Sequence, residues 1–312
     1  MGGDFGLVSS AKFGKLKGVA IRCVLGDQHA ASFGQRCFDK GSCKATFGTG
    51  CFVMLNTGEP VNSTHGLLTT PLYQIKGEEP VFALEGAVAV AGAAIQWLRD
   101  NMRIADSAQA IGDLAASTAD NGGVYFVPAF SGLFAPHWDA SARGIVAGLT
   151  AFATRAHLCR AAIEAAAFGL GELKEAFAAD NAALRTVNVD GGMAVNPMLM
   201  QSIADLVGVP AMRPDCLETT ALGAAYGAGL GTVWPTLADL LNLPVKVDFF
   251  CPNLDATSRN KQLEQWAKAV HRARGWLSPP SDPAKQSLFP YALAVGAFVS
   301  GALLGARFAH RR

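Results

Sequence analysis

The fold prediction starts from Val24-Leu25-Gly26-Asp27-Gln28-His29-Ala30-Ala31 and the later stretch Thr46-Phe47-Gly48-Thr49-Gly50-Cys51-Phe52. The first places a carboxylate, Asp27, just after an apolar run. The second places a Gly-Thr-Gly turn between two segments of β character, 44–47 and 51–55. Glycines let the backbone approach an anion closely, and Thr49 adds a hydroxyl and an N–H group. The two stretches therefore indicate a phosphoryl-transfer site, although each alone also fits a helix N-cap or a simple hairpin turn.

Composition narrows the class of protein. Half of the 312 residues are hydrophobic and only 16% are charged, which excludes a disordered chain. The formal net charge of +1, without a basic run in the body of the chain, argues against a nucleic-acid partner. Seven scattered cysteines without a CxxC pair argue against a zinc site and against a disulfide framework. We therefore expect reduced thiols facing the cytosol and no metal held by side chains.

Periodicity predicts strands that alternate with helices, and hence an α/β fold. Residues 17–25 are predicted to form a buried strand that leads into a helix over 28–38, and 82–101 is predicted to be one buried helix. Further helices are predicted over 105–120, 153–178, 198–207, 221–229 and 254–274, with strands over 124–128, 185–189 and 210–214.

Several motifs run through the chain in this order: LGDQHAASFGQ, KATFGTGCFVMLNTGE, HGLLTT, ALEGAVAVAGAAIQWLRDN, YFVPAFSGLFAPHWDASARGIVAGLT, VDGGMAVNPMLMQSIADL and ETTALGAAYGAG. Over residues 14–277 they resemble the C-terminal half of the glycerol kinases in the FGGY carbohydrate kinase family. The resemblance implies an actin-like, ribonuclease H-like ATPase lobe that phosphorylates glycerol with ATP and Mg²⁺. It also implies an N-terminal lobe that this chain lacks and that a longer product would supply.

The resemblance also implies site residues. It makes Asp27 the catalytic base and a substrate contact, with Gln28 and Phe52 also on the polyol. The residue pattern leaves a second interpretation open at three positions: Phe52 fits a core ring, Gly92 a helix packing contact and Asn196 a helix N-cap. The nucleotide contacts that the resemblance implies are Thr49, Gly92, Gln96, Gly192 and Asn196.

The end of the chain changes in character. The 19 residues 288–306 carry no charge and would form a helix roughly 28 Å long, close to the hydrocarbon core of about 30 Å. We expect a transmembrane anchor there, with a cytosolic catalytic part. Animal glycerol kinases have a similar hydrophobic tail, and a moderate span with a short basic end resembles the tail anchors of the mitochondrial outer membrane. A buried terminal helix is the alternative. Gly301 and Gly305 form a GxxxG pair that would allow helix pairing and hence a homo-oligomer.

The predicted organisation follows from these segments. A frayed start or remnant of a preceding segment spans 1–16, the kinase C-terminal domain 17–277, a linker 278–287, the anchor 288–306 and a basic tail 307–312. The expected function is that of a glycerol kinase, as part of a longer protein, with glycerol, ATP, ADP and a membrane as partners. Two alternatives stay open: another FGGY sugar kinase, and an inactive nucleotide-binding or scaffolding lobe at a membrane.

Overall fold

The computed structural model describes residues 1–278, and within that range strands alternate with helices. The α/β part of the predicted fold class is therefore confirmed. The strands are β1 (Ser42–Phe47), β2 (Cys51–Gly58), β3 (Leu68–Tyr73), β4 (Val81–Val88), β5 (Tyr125–Val127), β6 (Ile145–Ala147), β7 (Thr186–Asp190), β8 (Ala211–Pro214) and β9 (Val247–Phe250).

The helices cover both faces of the larger of two sheets, and a short 3-10 helix, Ala11–Leu16, precedes them. They are α1 (Asp27–Gly34), α2 (Gly92–Asp100), α3 (Ala108–Ala116), α4 (Arg155–Ala179), α5 (Pro197–Val207), α6 (Thr219–Gly229), α7 (Leu237–Leu241) and α8 (Ala256–Ala273).

The larger sheet is mixed, with the strand order β3-β4-β2-β1-β7-β8-β9. Strands β1, β7 and β8 run parallel, and every other neighbouring pair in this sheet is antiparallel. The predicted hairpin is present as β1 and β2, which pair from Cys43 with Leu55 to Phe47 with Cys51. The turn Gly48–Gly50 therefore lies at the end of β1, beside the end of its parallel neighbour β7.

The two faces of this sheet bury different residues. On one face Cys43, Ala45 and Phe47 join the main core with residues of α2, α4 and α5. On the other face Phe33 of α1 and Tyr226 of α6 belong to a second apolar cluster. Side chains alternate between the two faces of a strand. The β1 residues that lie between Cys43, Ala45 and Phe47 are therefore on the face that α1 covers.

Helices α1 and α6 cross at two glycines. A Cβ atom added at Gly223 would lie 1.7 Å from the carbonyl oxygen of Ala30, and one added at Gly34 would lie 2.0 Å from that of Thr219. The two backbones therefore touch with no room for a side chain on either helix at this point. This contact fixes α1, whose first residue is Asp27.

The predicted single helix over 82–101 is wrong in its first half. Residues Val81–Val88 form β4, which pairs with both β2 and β3, and the helix α2 begins only at Gly92. A short, mostly apolar run fits a strand and a helix equally well, and here the pairing with two neighbouring strands decides the outcome.

The predicted buried strand over 17–25 is also wrong. Its backbone makes only a few hydrogen bonds with residues 5–8, such as the one from the Val8 N–H to the Val19 carbonyl at 2.9 Å. The side chains of Val19 and Val24 are exposed. Only the end of this segment contacts a core, where Cys23 and Leu25 pack, partly buried, against the second apolar cluster. Apolar character predicted burial, but burial requires a partner surface.

The fold class requires one correction. It included a transmembrane helix, and no helix among residues 1–278 is long and apolar enough to cross a membrane. The segment predicted to span the membrane, 288–306, lies outside the described residues, as does the rest of the predicted linker, anchor and tail beyond residue 278. Residues 1–278 therefore form an α/β lobe without a helix that could cross a membrane, and they do not test the predicted localisation.

The end of α4 gives a stability prediction. Asp180, almost fully buried, accepts hydrogen bonds from the Ser63 hydroxyl at 2.5 Å and the Thr64 amide at 3.1 Å, and its carboxylate lies 2.6 Å from His65 Nδ1. Burial alone would raise the pKa of Asp180, but these hydrogen bonds together lower it below its usual range. Asp180→Asn should reduce the free energy of unfolding at pH 7 by about 2 kcal/mol, as measured by urea unfolding.

The same substitution has a defined pH dependence. A carboxylate whose pKa is lowered by folding stabilises the native state above the unfolded pKa of about 3.9, and this contribution is lost as the pH falls through the folded pKa. The difference between the wild-type chain and Asp180→Asn should therefore shrink as the pH falls below about 3.9. A difference that stays constant with pH would contradict the account, and the exposed Asp106→Asn serves as the control.

Candidate functional site

The predicted phosphate loop is fixed to the start of α2. The carbonyl of Thr49 accepts the Ala91 N–H at 2.9 Å, and the carbonyl of Gly48 accepts the Gly92 N–H at 2.9 Å. A Cβ atom at Gly92 would lie 2.5 Å from the Gly48 carbonyl oxygen. Glycine is therefore required at residue 92 for the helix to approach the loop, so its close contact is with a turn and not with a second helix.

A second loop meets the first from β7. Gly191 has φ +88° and lies so close to Phe47 that a Cβ atom would be 2.5 Å from the Phe47 carbonyl oxygen. That same carbonyl accepts the Met193 N–H at 3.1 Å. The Asn196 side chain then caps α5 by accepting the N–H groups of Met198 at 2.9 Å and Leu199 at 3.2 Å. The capping interpretation of Asn196 is therefore correct, whatever further role the residue has.

These loops and α3 enclose a cavity of about 550 Å³. All five predicted nucleotide residues line it, although they come from separate parts of the sequence. The Asn196 amide nitrogen lies on the α3 side, where a Cβ atom at Gly112 would be 3.1 Å from it. Gly48 of the predicted phosphate loop lines the cavity as well. Sequence reasoning missed these other lining residues: Ile95, Arg99, Ala108, Gln109, Gly112, Asp113, Ala116, Ile163, Met193, Val195, Pro197 and Met198.

The missed residues of α3 had a signal in the sequence. Gln109 and Asp113 are four residues apart and therefore share one helical face, and the Gln109 side chain donates to the Asp113 carboxylate at 2.9 Å.

A larger cavity, of about 850 Å³, lies beside α4 and α8, and none of the predicted site residues lines it. We place the candidate site in the smaller cavity because several glycine-rich loops converge there.

The predicted polyol residues lie on α1 and β2, outside the lining of this cavity. Asp27 is exposed at the first turn of α1, where its carboxylate accepts the Gln28 N–H at 2.8 Å. Phe52 is only partly buried, so it is not a core ring. It is the second residue of β2 and follows Thr49 of the turn by three residues.

Sequence reasoning missed two buried charges between these groups. Lys44 is fully buried in the middle of β1, and its ammonium donates to the Gln28 side-chain oxygen and to the Phe52 carbonyl. Burial lowers the pKa of Lys44, and the Asp190 carboxylate opposes that lowering. Asp190 itself accepts hydrogen bonds from the Gln35 side chain at 3.0 Å and from the Thr219 hydroxyl. A lysine inside a mostly apolar strand indicates a buried charge with polar partners, because lysine is rarely buried without partners.

Comparison with known proteins assigns the family. The model of the FGGY family of carbohydrate kinases, C-terminal domain, matches residues 43–232, which include the hairpin, the cavity loops and α6. The chain belongs to the FGGY family of carbohydrate kinases. The predicted family membership is therefore confirmed.

Relatives of this FGGY chain are glycerol kinases. It is 50% identical to glycerol kinase 2 of Streptomyces avermitilis over 266 residues, which cover 84% of the chain and 52% of that relative. It is 52% identical to the glycerol kinase of Beijerinckia indica over 256 residues, which cover 81% of the chain and 50% of that relative. The chain thus spans about half the length of the curated relatives that it matches.

Solved structures agree with the fold of this FGGY chain. The Plasmodium falciparum glycerol kinase with ADP superposes with a TM-score of 0.81 at 36% identity, over 87% of the chain and 55% of that protein. A gluconate kinase from Lactobacillus acidophilus has a TM-score of 0.73 at 22% identity, over 82% of the chain and 52% of that kinase, and shows the fold alone. These neighbours support the actin-like ATPase type of α/β fold that the sequence predicted.

Two glycines of the cavity give a matched pair of variants. A Cβ atom at Gly192 would meet no atom within 4 Å, whereas one at Gly92 would clash with the Gly48 backbone. Gly92→Ala should therefore lower the free energy of unfolding by about 1–3 kcal/mol and weaken ADP binding as well. Gly192→Ala should leave stability within about 0.5 kcal/mol of the wild type.

The second variant tests the nucleotide role of Gly192. Because its new methyl group would project into open space at the cavity, ADP affinity should fall about tenfold, the equivalent of roughly 1.4 kcal/mol. Thermal unfolding and ADP titration measure the two effects separately. If Gly192→Ala bound ADP as tightly as the wild-type chain, Gly192 would not be part of the nucleotide site.

Proposed function

We propose that this chain supplies the nucleotide cavity and the polyol-binding residues of a kinase that phosphorylates glycerol with ATP. The observation that carries the proposal is the convergence of Thr49, Gly92, Gln96, Gly192 and Asn196 on one cavity. The glycerol kinase relatives near 50% identity and the glycerol kinase neighbour with ADP support the same function. Residues 17–277 form the proposed kinase domain, with glycerol, ATP and ADP as its ligands.

The nucleotide would bind between the hairpin turn, the start of α2 and the loop after β7. Gly192 leaves the backbone open to the ligand, Gly92 lets α2 approach the turn, and Gln96 offers a side-chain amide one helical turn after Gly92. The turn residues Gly48 and Thr49 line the cavity, and Phe52 follows them at the start of β2, so the phosphates are expected at this turn.

The chemical step follows from the exposed carboxylate on α1. Asp27 would take the proton of a terminal glycerol hydroxyl while that oxygen forms a bond to the γ-phosphorus. The bond from this phosphorus to the bridging oxygen breaks, and ADP leaves with the electron pair. Gln28 and Phe52 would hold the polyol, the first by hydrogen bonding and the second by contact with its carbon atoms.

We propose Mg²⁺ as the ion that accompanies ATP. The part of the chain described by the structure has no cluster of three or more histidine, cysteine, aspartate or glutamate side chains suited to hold a metal. This fits an ion held mainly by phosphates and water, as is usual for Mg²⁺ with nucleotides. When bound, the ion would offset charge on the phosphates.

A hybrid kinase tests the proposal. The N-terminal half of Streptomyces avermitilis glycerol kinase 2 is joined ahead of this chain, and ATP-dependent phosphorylation is measured with glycerol, xylulose and gluconate; the complete relative is the control. We expect glycerol 3-phosphate as the main product. Faster turnover of xylulose or gluconate would instead identify another FGGY sugar kinase. ADP binding without turnover of any substrate would favour an inactive nucleotide-binding lobe.

A further inference from the structure

The buried lysine on β1 connects the two residues proposed to bind the polyol. Lys44 lies on the sheet face that α1 covers, because its strand neighbours Cys43 and Ala45 belong to the core on the opposite face. Its ammonium donates to the side-chain oxygen of Gln28 and, at 3.2 Å, to the carbonyl of Phe52. An ammonium is strongly hydrated in water, so complete burial is costly unless its N–H groups find acceptors.

We propose that Lys44 is a positioning residue that sets how Gln28 presents its amide to the polyol. An ammonium has only donors, so it can hold the amide of Gln28 only through the oxygen. The two N–H donors of that amide are then left for a substrate oxygen. Asp27, the neighbouring residue, offers only acceptors when ionised. A hydroxyl placed between them would donate to Asp27 and accept from Gln28, which is the pairing that proton transfer to Asp27 requires.

The hydrogen bond from Lys44 to the Phe52 carbonyl gives the lysine a second positioning role. Because one ammonium binds both the α1 side chain and the β2 backbone, it fixes the spacing between Gln28 and Phe52. The proposal rests on the proposed function, since these two residues are polyol contacts only in that function. In this proposal Lys44 affects the affinity for glycerol without contacting glycerol.

A purely structural role for Lys44 makes a different prediction. Asp190 is buried beside the cavity loop, and its charge influences the pKa of Lys44, so the lysine could serve only to balance that carboxylate. The double variant Lys44→Met/Asp190→Asn separates the two roles. It removes both charges, which also lowers the risk that an unpaired buried carboxylate unfolds the protein.

Kinetics of the hybrid kinase provide one test. Lys44→Met should raise KM for glycerol by about tenfold, as expected for the loss of a well-placed hydrogen bond, with KM for ATP changed by less than about twofold. The matched control Lys174→Met, on a partly exposed lysine of α4, should leave both values unchanged. The double variant should keep the raised KM for glycerol. If the double variant restored the wild-type value, the lysine would only balance charge and the proposal would be overturned.

Nuclear magnetic resonance of the full 312-residue chain provides a test that does not depend on activity. The side-chain amide of Gln28 should be ordered in the wild-type chain, and in Lys44→Met its order parameter should fall below about 0.6. An amide that stays equally ordered in Lys44→Met would overturn the proposal. If the wild-type hybrid made no glycerol 3-phosphate, the proposed function would fail, and this measurement would still decide whether Lys44 orders Gln28.

Discussion

Asp27→Asn is expected to lower kcat of the hybrid kinase by about 10²–10⁴-fold, the range that a general base contributes. Asparagine keeps the size of the side chain but cannot take the proton of the attacking hydroxyl. Because Asp27 does not line the cavity proposed to bind the nucleotide, the affinity for ADP should stay within about twofold of the wild type. Steady-state kinetics and an ADP titration on the same preparation measure both effects.

The control for this prediction is Asp106→Asn, which makes the same chemical change at an exposed residue ahead of α3. It should leave kcat and ADP affinity unchanged. If Asp27→Asn kept more than about a tenth of wild-type kcat, the assignment of Asp27 as the base would be rejected. Loss of ADP binding together with turnover would show that the substitution had disturbed the fold of the lobe.

Gly223→Ala is expected to have the largest effect on stability. The new Cβ atom would lie 1.7 Å from the Ala30 carbonyl oxygen, so α1 and α6 must separate. We expect the free energy of unfolding to fall by about 3 kcal/mol, the upper part of the usual range for overpacking. Any folded protein should also lose turnover in the hybrid, because α1 carries Asp27 and Gln28.

Ala225→Leu on the same helix is the matched control. Ala225 is exposed, so the larger side chain should cost less than about 0.5 kcal/mol. Urea unfolding of the two variants gives the comparison. A Gly223→Ala protein as stable as the wild type would mean that the helix crossing is looser than described, and that α1 is not fixed by this contact.

Parts of the fold were predictable because their signals are local. In the hairpin, β1 has alternating apolar residues, β2 has an apolar run and glycines form the turn, and α5 has Asn196 at its start and a glycine after its end. Segment 82–88 was predicted to be helix because a run of small, mostly apolar residues has no hydrophobic periodicity that distinguishes a helix from a strand. Only pairing with β2 and β3, which is not local, makes it a strand.

The site was predictable only in part. Its nucleotide residues lie on segments far apart in sequence, and nothing local joins Thr49 to Gly192; the family resemblance supplied the connection, and the cavity shows that they converge. Lys44 was missed because the pattern of a strand does not reveal what covers each face. The prediction of a buried strand over residues 17–25 was wrong for the same reason. An apolar run shows which side chains avoid water, but not whether a surface is present to bury them.

The most direct test of the central claim is an ADP titration of the 312-residue chain by calorimetry. The claim is that the hairpin turn, the loop after β7, the start of α2 and α3 form a nucleotide site from residues of this chain. We expect one ADP per chain, with binding weakened in Gly192→Ala and unchanged in Asp106→Asn. Absence of binding in the folded wild-type chain, or equal binding in wild type and Gly192→Ala, would contradict the account.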